Sequence, residues 1–126
     1  MARRHLARRG RMRRVSPKRA VQNVQRRAFV KRLLEERWEC EAQIPTRCSR
    51  LASDVHEIKT RARGGSFLDE ENCLCICRPC HSWITDHTAW SLEHGFIVSS
   101  WSDHADMVAA ERARFAFVNG VVKADE

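Results

Sequence analysis

The sequence predicts a small α+β domain: a β, β, α centre with a structural zinc site, flanked by helices and preceded by a basic N-terminal arm. Three observations predict it. Apolar residues recur at helical spacing over 17–38, short segments at 54–58 and 73–76 read as strands, and helical spacing returns from 81. Cys40, Cys48, Cys77 and Cys80 form a C-x7-C and a C-x2-C pair separated by 28 residues. The charge is split: residues 1–37 hold 14 Lys and Arg against Glu35 and Glu36, a local +12, whereas 38–126 hold 9 against 14 Asp and Glu, a local −5. A chain of 126 residues has the size of one ordinary domain. It divides into an arm over 1–16 and a single domain over 17–126, with its core at about 38–95.

The arm comes first. From Arg3 to Arg14 the chain is a nearly uninterrupted cationic run broken by Gly10, with Arg8, Arg9, Arg11, Arg13 and Arg14 at its centre. This is the composition of a disordered arm that finds an anionic polymer by counterion release. Nucleic acid is the partner it fits best; a solubilising tail and an arm for an acidic protein are the other readings. Contacts of this kind give affinity without sequence preference. No stretch approaches the roughly 20 apolar residues needed to cross a bilayer, and the start lacks the apolar segment of a secretory signal. The expectation is a soluble, cytoplasmic protein with no membrane partner. An Arg-rich transit peptide competes with this reading, but the run leads straight into a predicted helix without a clear cleavage signal.

Ser16-Pro17 predicts a helix start, since Ser caps well and Pro is tolerated at the first helical position. The helix runs to about Trp38, with Val21, Val24, Ala28 and Phe29 as an apolar flank continued by Leu33, Leu34 and Trp38. Pro45 makes residues 39–53 an irregular knuckle. Asp54 to Ile58 reads as a short strand, Gly64-Gly65 as a loop and Cys73 to Ile76 as a second strand, together a hairpin. A short helix over His81 to about His87 follows, with Ile84 turned inward. Thr88 to His94 reads as another helix ended by Gly95, Phe96 to Ser100 as a strand, and Ser102 or Asp103 as the cap of a last helix to about Val118.

The cysteine pairs predict a closed four-thiolate zinc site that stabilises a domain with a thin core. A chain without a secretory signal meets a reducing compartment, which argues against a disulfide framework. C-x2-C is a strong half-site signal; C-x7-C is longer than the usual knuckle spacing, and buried reduced thiols are the bland alternative. Cys73 and Cys75 read as packing residues, with Cys75 the first substitute should Cys40 or Cys48 not serve.

Read together, V-H-E-I at 55–58, R-G-G-S at 63–66, Asn72 and C-R-P-C-H at 77–81 resemble the ββα-metal motif of the HNH endonucleases, especially the small proteins of phages and prophages. The V-S-P-K-R-A lead-in at 15–20 and G-F-I-V-S-S-W at 95–101 extend the resemblance over most of the chain. It implies a hairpin and helix cradling one divalent cation and hydrolysing DNA phosphodiester bonds. His56 matches the first ligand, His81 the last, and Asn72 the central asparagine that ties the hairpin loop together. Glu57 departs from the pattern, standing where a histidine general base is common. Two assignments follow: His56 as ligand with Glu57 as base, which the motif register favours, or His56 as base with Asp54 or Glu57 reaching the metal. Thr85 also departs, standing where a His or Asn is common four residues after His81. Fewer protein ligands suit Mg²⁺ or Mn²⁺ completed by water and phosphate oxygens. Arg61, Arg63 and Arg78 surround the motif and could clamp phosphates, although each alone reads as a solvated surface residue.

The expected function is therefore a metal-dependent DNA endonuclease, nicking or cutting both strands. The resemblance further implies phage terminase or packaging proteins as partners and the cytoplasm of a phage-infected or prophage-bearing bacterial cell as location. The competing class is a noncatalytic zinc-stabilised DNA-binding module, kept open by Glu57 and Thr85. RNA cleavage is a third reading, for which no aromatic stacking array argues. His5, His87, His94 and His104 receive no role.

Overall fold

The computed structural model describes residues 14–61, 65–66 and 68–124. The expectations for Arg8, Arg9, Arg11, Arg13 and Arg63 lie outside them. Helix α1 spans Pro17–Glu36, with the Ser16 hydroxyl accepting the Arg19 N–H at 3.2 Å and Pro17 in the first turn. It buries Phe29 and Leu33, while Val21 and Val24 stay exposed, so the expected apolar flank narrows to the C-terminal half of the helix. The helix also stops short of Trp38, which is exposed and whose carbonyl accepts the Ala52 N–H at 2.8 Å. Glu39 and Leu51 form an isolated antiparallel bridge across the base of the knuckle.

Strands β1 (Asp54–Glu57) and β2 (Cys73–Ile76) pair antiparallel, His56 opposite Leu74 and Glu57 opposite Cys73. Their alternation separates two cores. Cys73 and Cys75, with Val55, meet Phe29 and Leu33 of α1. Leu74 and Ile76 join Ile58, Ile84, Phe96, Val98 and Ala110 on the other face. A 3-10 turn, Glu70–Asn72, leads into β2, capped by the Asp69 carboxylate accepting the Glu71 N–H at 3.0 Å.

Helix α2 (Arg78–Asp86) starts three residues before the expected His81, because the Cys77 sulfur caps it by accepting the Cys80 N–H. Helix α3 (Thr88–Glu93) follows after His87 and ends ahead of Gly95. Gly95 has φ +76°, and a Cβ there would lie 2.1 Å from the Ala110 carbonyl oxygen, so only glycine fits. Helix α4 (His104–Ala124) starts where the Asp103 and Asp106 carboxylates each accept the other's backbone N–H. It runs through Asn119-Gly120, past the expected stop, with the Asn119 amide donating to the Phe115 carbonyl within the helix.

The segment 96–100 does not form the expected strand. The Phe96 and Ile97 N–H groups both donate to the Ser91 carbonyl of α3 rather than to a strand partner, and the Val98 N–H donates to the Ile58 carbonyl at 3.1 Å. Among the described residues no helix is long and apolar enough to cross a membrane.

Candidate functional site

Two chemically distinct clusters flank the hairpin. The first is the cysteine cluster. The Sγ atoms of Cys40, Cys48, Cys77 and Cys80 all lie within 4.8 Å of one another. A tetrahedral thiolate centre with Zn–S bonds of about 2.3 Å needs sulfurs about 3.8 Å apart, so the four residues fit a metal ion such as zinc. Cys40, Cys77 and Cys80 are fully buried, Cys48 partly.

Backbone amides converge on the sulfurs: Ser49 N–H on Cys77 at 3.4 Å, Arg50 N–H on Cys48 at 3.3 Å and Cys80 N–H on Cys77 at 3.5 Å. Such donors favour thiolate over thiol. The Cys80 thiol hydrogen-bonds to Cys40 and holds it down at about 4, the same bond raises Cys80, and burial pushes Cys48 up to about 11. A divalent cation bound by the four sulfurs would supply the positive charge that thiolates in this buried position need. Gln43, Thr46 and Arg50 take positive φ values of 47°, 64° and 75° around the knuckle. That strain, about 1–3 kcal/mol per residue, marks a loop shaped around its sulfurs.

The second cluster lies on the α2 side of the hairpin. Strand alternation puts Asp54 and His56 on this face, and α2 brings His81 against them. The two imidazole centroids are 5.4 Å apart, edge to face. His81 Nδ1 lies 2.8 Å from Asp54 Oδ2 and His56 Nε2 lies 2.6 Å from the Phe96 carbonyl oxygen. A carbonyl can only accept, so His56 carries its proton on Nε2 and keeps a lone pair on Nδ1. Burial pushes the His56 pKa down to about 4 against the Phe96 hydrogen bond, which raises it, and its imidazole is neutral at neutral pH.

Burial alone would raise Asp54, but hydrogen bonds from His81, Arg78 and Ser53 together hold it below the usual carboxylate range. Arg78, expected as a phosphate clamp, makes an ion pair with Asp54 at 2.8 Å through Nε. Asp54, Val55, Arg78, His81, Ser82, Thr85 and Asp86 line an open groove of about 530 Å³. Thr85 stands one turn beyond His81, its hydroxyl donating to the His81 carbonyl at 3.0 Å.

Glu57 is not brought to this face, which corrects its expected place beside His56. As the next residue of a strand its side chain points to the α1 side, 3.5 Å from Arg26 and 4.0 Å from Arg61. Asn72 is buried, accepting the Lys59 N–H at 2.9 Å and donating to the Lys59 and Ser66 carbonyls at 2.8 and 2.9 Å. It ties the hairpin loop as expected and touches neither histidine ring. Gly65 packs so closely on that loop that a Cβ would lie 1.6 Å from the Lys59 carbonyl oxygen. Arg14 is exposed ahead of α1.

The four-cysteine set is the one group of three or more His, Cys, Asp or Glu ligands gathered tightly enough for a metal among the described residues. Sequence reading missed the Phe96 carbonyl, since a backbone acceptor leaves no residue-type signal. Comparisons with protein-family models, with curated protein sequences and with solved structures each give no match.

Proposed function

We infer that the chain is a metal-dependent DNA endonuclease of the HNH type, with the α2 face of the hairpin as its active site. The observation that carries the reading is the convergence of Asp54, His56 and His81 from a strand and a helix beside an open groove. It favours His56 as the base, its Nε2–H fixed on Phe96 and Nδ1 accepting a proton from the attacking water. Asp54 orients His81 through Nδ1, leaving His81 Nε2 as the ring's ligand atom.

A carboxylate and one imidazole on an open groove are a donor set for Mg²⁺ or Mn²⁺, and a cation at Asp54 would displace Arg78. When bound, the cation supplies charge neutralisation at the phosphodiester oxygens. Arg78, released, is placed to meet a neighbouring phosphate. The +12 of residues 1–37 supports DNA as the polymer engaged, and packaging proteins of a phage remain partners proposed on resemblance alone.

A second reading, a noncatalytic zinc-stabilised DNA-binding module, is favoured by the tight gathering of the cysteines alone. Supercoiled plasmid incubated with wild type, His56→Ala and His81→Ala in Mg²⁺, Mn²⁺ or EDTA separates the two. The nuclease relaxes or linearises plasmid only as wild type and only with a cation. A wild type that shifts plasmid mobility and never cuts in any metal would leave the binding module standing.

A further inference from the structure

His56, buried beside the groove that His81 lines, is held by a part of the chain far from the motif. The Phe96 carbonyl that fixes His56 belongs to the strap between α3 and α4. Its ring is fully buried, stacked on Trp90 at 5.5 Å and meeting Phe117 of α4 edge to face at 5.8 Å. One residue earlier, the Gly95 carbonyl accepts a hydrogen bond from Arg114 Nη1 of α4, and Gly95 itself rests on the Ala110 backbone. The Phe96 N–H donates to the Ser91 carbonyl at 2.9 Å, and the Val98 N–H donates to the Ile58 carbonyl at 3.1 Å. The strap on both sides of the Phe96 carbonyl is thus tied down. Its charged tie is Arg114, a half-buried guanidinium whose pKa burial pushes down against the opposing charges of Glu111 and Glu41.

We propose that Arg114 is a positioning residue: by pinning the Gly95 carbonyl it sets the Phe96 carbonyl, which in turn holds His56 in the Nε2–H tautomer with Nδ1 free to take a proton. Arg114 touches neither substrate nor base in this scheme and acts through two residues of strap. The proposal rests on His56 being the base as far as cleavage goes, whereas the tautomer stands independently of any activity. An imidazole freed from that carbonyl would exchange its proton between both nitrogens, and a misplacement of about 1 Å can lower a rate by as much as about 100-fold.

Long-range ¹⁵N–¹H NMR of the zinc-loaded full chain reads the tautomer directly. Wild type should show His56 as Nε2–H with a slowly exchanging ring proton, and protected Arg114 guanidinium protons. Arg114→Met should mix the tautomers and lower kcat for plasmid cleavage by about 10- to 100-fold with KM little changed, and Arg114→Lys should restore part of both. An Arg114→Met protein with the wild-type His56 spectrum and kcat would overturn the proposal. So would a wild type whose Arg114 protons exchange as fast as those of exposed arginines, a result that needs no variant to fold. Intact plasmid with a fixed Nε2–H tautomer that Arg114→Met disturbs would instead sink the nuclease reading and leave the positioning role in place.

Discussion

The cysteine cluster and the histidine face sit on the same hairpin and α2, and they are built in opposite ways. Cys77 and Cys80 open α2, and His81 is the very next residue. Yet the four sulfurs are gathered within 4.8 Å, buried, and wrapped in backbone N–H donors on a strained knuckle. The histidine face holds two rings 5.4 Å apart, one buried and neutral, the other open to a groove and tied to a carboxylate that also pairs with an exposed arginine. A centre of the first kind stores its free energy in the fold. The second keeps exchangeable partners, as a site that must admit a substrate does.

The two clusters differ most in what their loss does to the fold. A structural zinc centre contributes about 10–16 kcal/mol of apparent binding energy at neutral pH, as much as the whole stability of a typical domain, about 5–15 kcal/mol. Cys80→Ser, or stripping zinc with a strong chelator, should therefore abolish the cooperative unfolding transition seen by circular dichroism. Wild type should carry one zinc per chain by elemental analysis; a ratio well below one, or a Cys80→Ser protein melting like wild type, would remove the cluster from the fold's foundations. On the proposed nuclease assignment His56→Ala should do the reverse, leaving zinc content and DNA affinity near wild type while lowering the cleavage rate by about 100- to 10,000-fold, the range of a lost general base, and His81→Ala should lower cleavage through loss of a cation ligand.

The next effect separates the clusters by pH. His56 has its folded pKa lowered to about 4 from an ordinary 6.5, so below about 6.5 the unfolded chain takes up a proton that the folded chain refuses. Stability is then full above about pH 6.5 and falls toward pH 4, by about 3 kcal/mol in all if the whole shift is realised. Asp54 behaves as a carboxylate with a depressed pKa, and its contribution is lost only at lower pH still. Zinc release adds to the acid slope, so the informative quantity is the difference between wild type and His56→Asn in urea unfolding from pH 7 to 5. Equal slopes would mean that His56 is not held neutral by burial.

What the sequence disclosed follows the same division. The cysteine pairs, the hairpin and Asn72 were legible because each rests on a local rule: ligand spacing, strand alternation, and an amide placed to close a loop. Elements whose fate depends on distant partners were not. Val21 and Val24 share the helical spacing of Phe29 and Leu33 but stay exposed. Phe96 to Ser100 has strand composition, yet its first amides go to Ser91, and Asn119-Gly120 looks like a stop inside a helix that continues. Motif register alone put Glu57 beside His56, although adjacent residues of a strand face opposite ways.

Glu57 and His56, adjacent on β1 but facing opposite ways, distinguish the two proposed bases. Glu57 sits on the α1 side with Arg26 and Arg61, where a partly exposed ion pair contributes at most about 1 kcal/mol. Glu57→Gln should therefore cost about that much stability, through loosened docking of α1 on β1. With His56 as the proposed base, plasmid cleavage should stay within about 3-fold of wild type, because general-base losses are far larger. The same substitution at a working base would remove the acceptor outright. A Glu57→Gln protein that folds and binds DNA normally but has lost cleavage as fully as His56→Ala would return the base to Glu57, leave His56 as a ligand, and require α1 and its Arg26 to move off that face before catalysis.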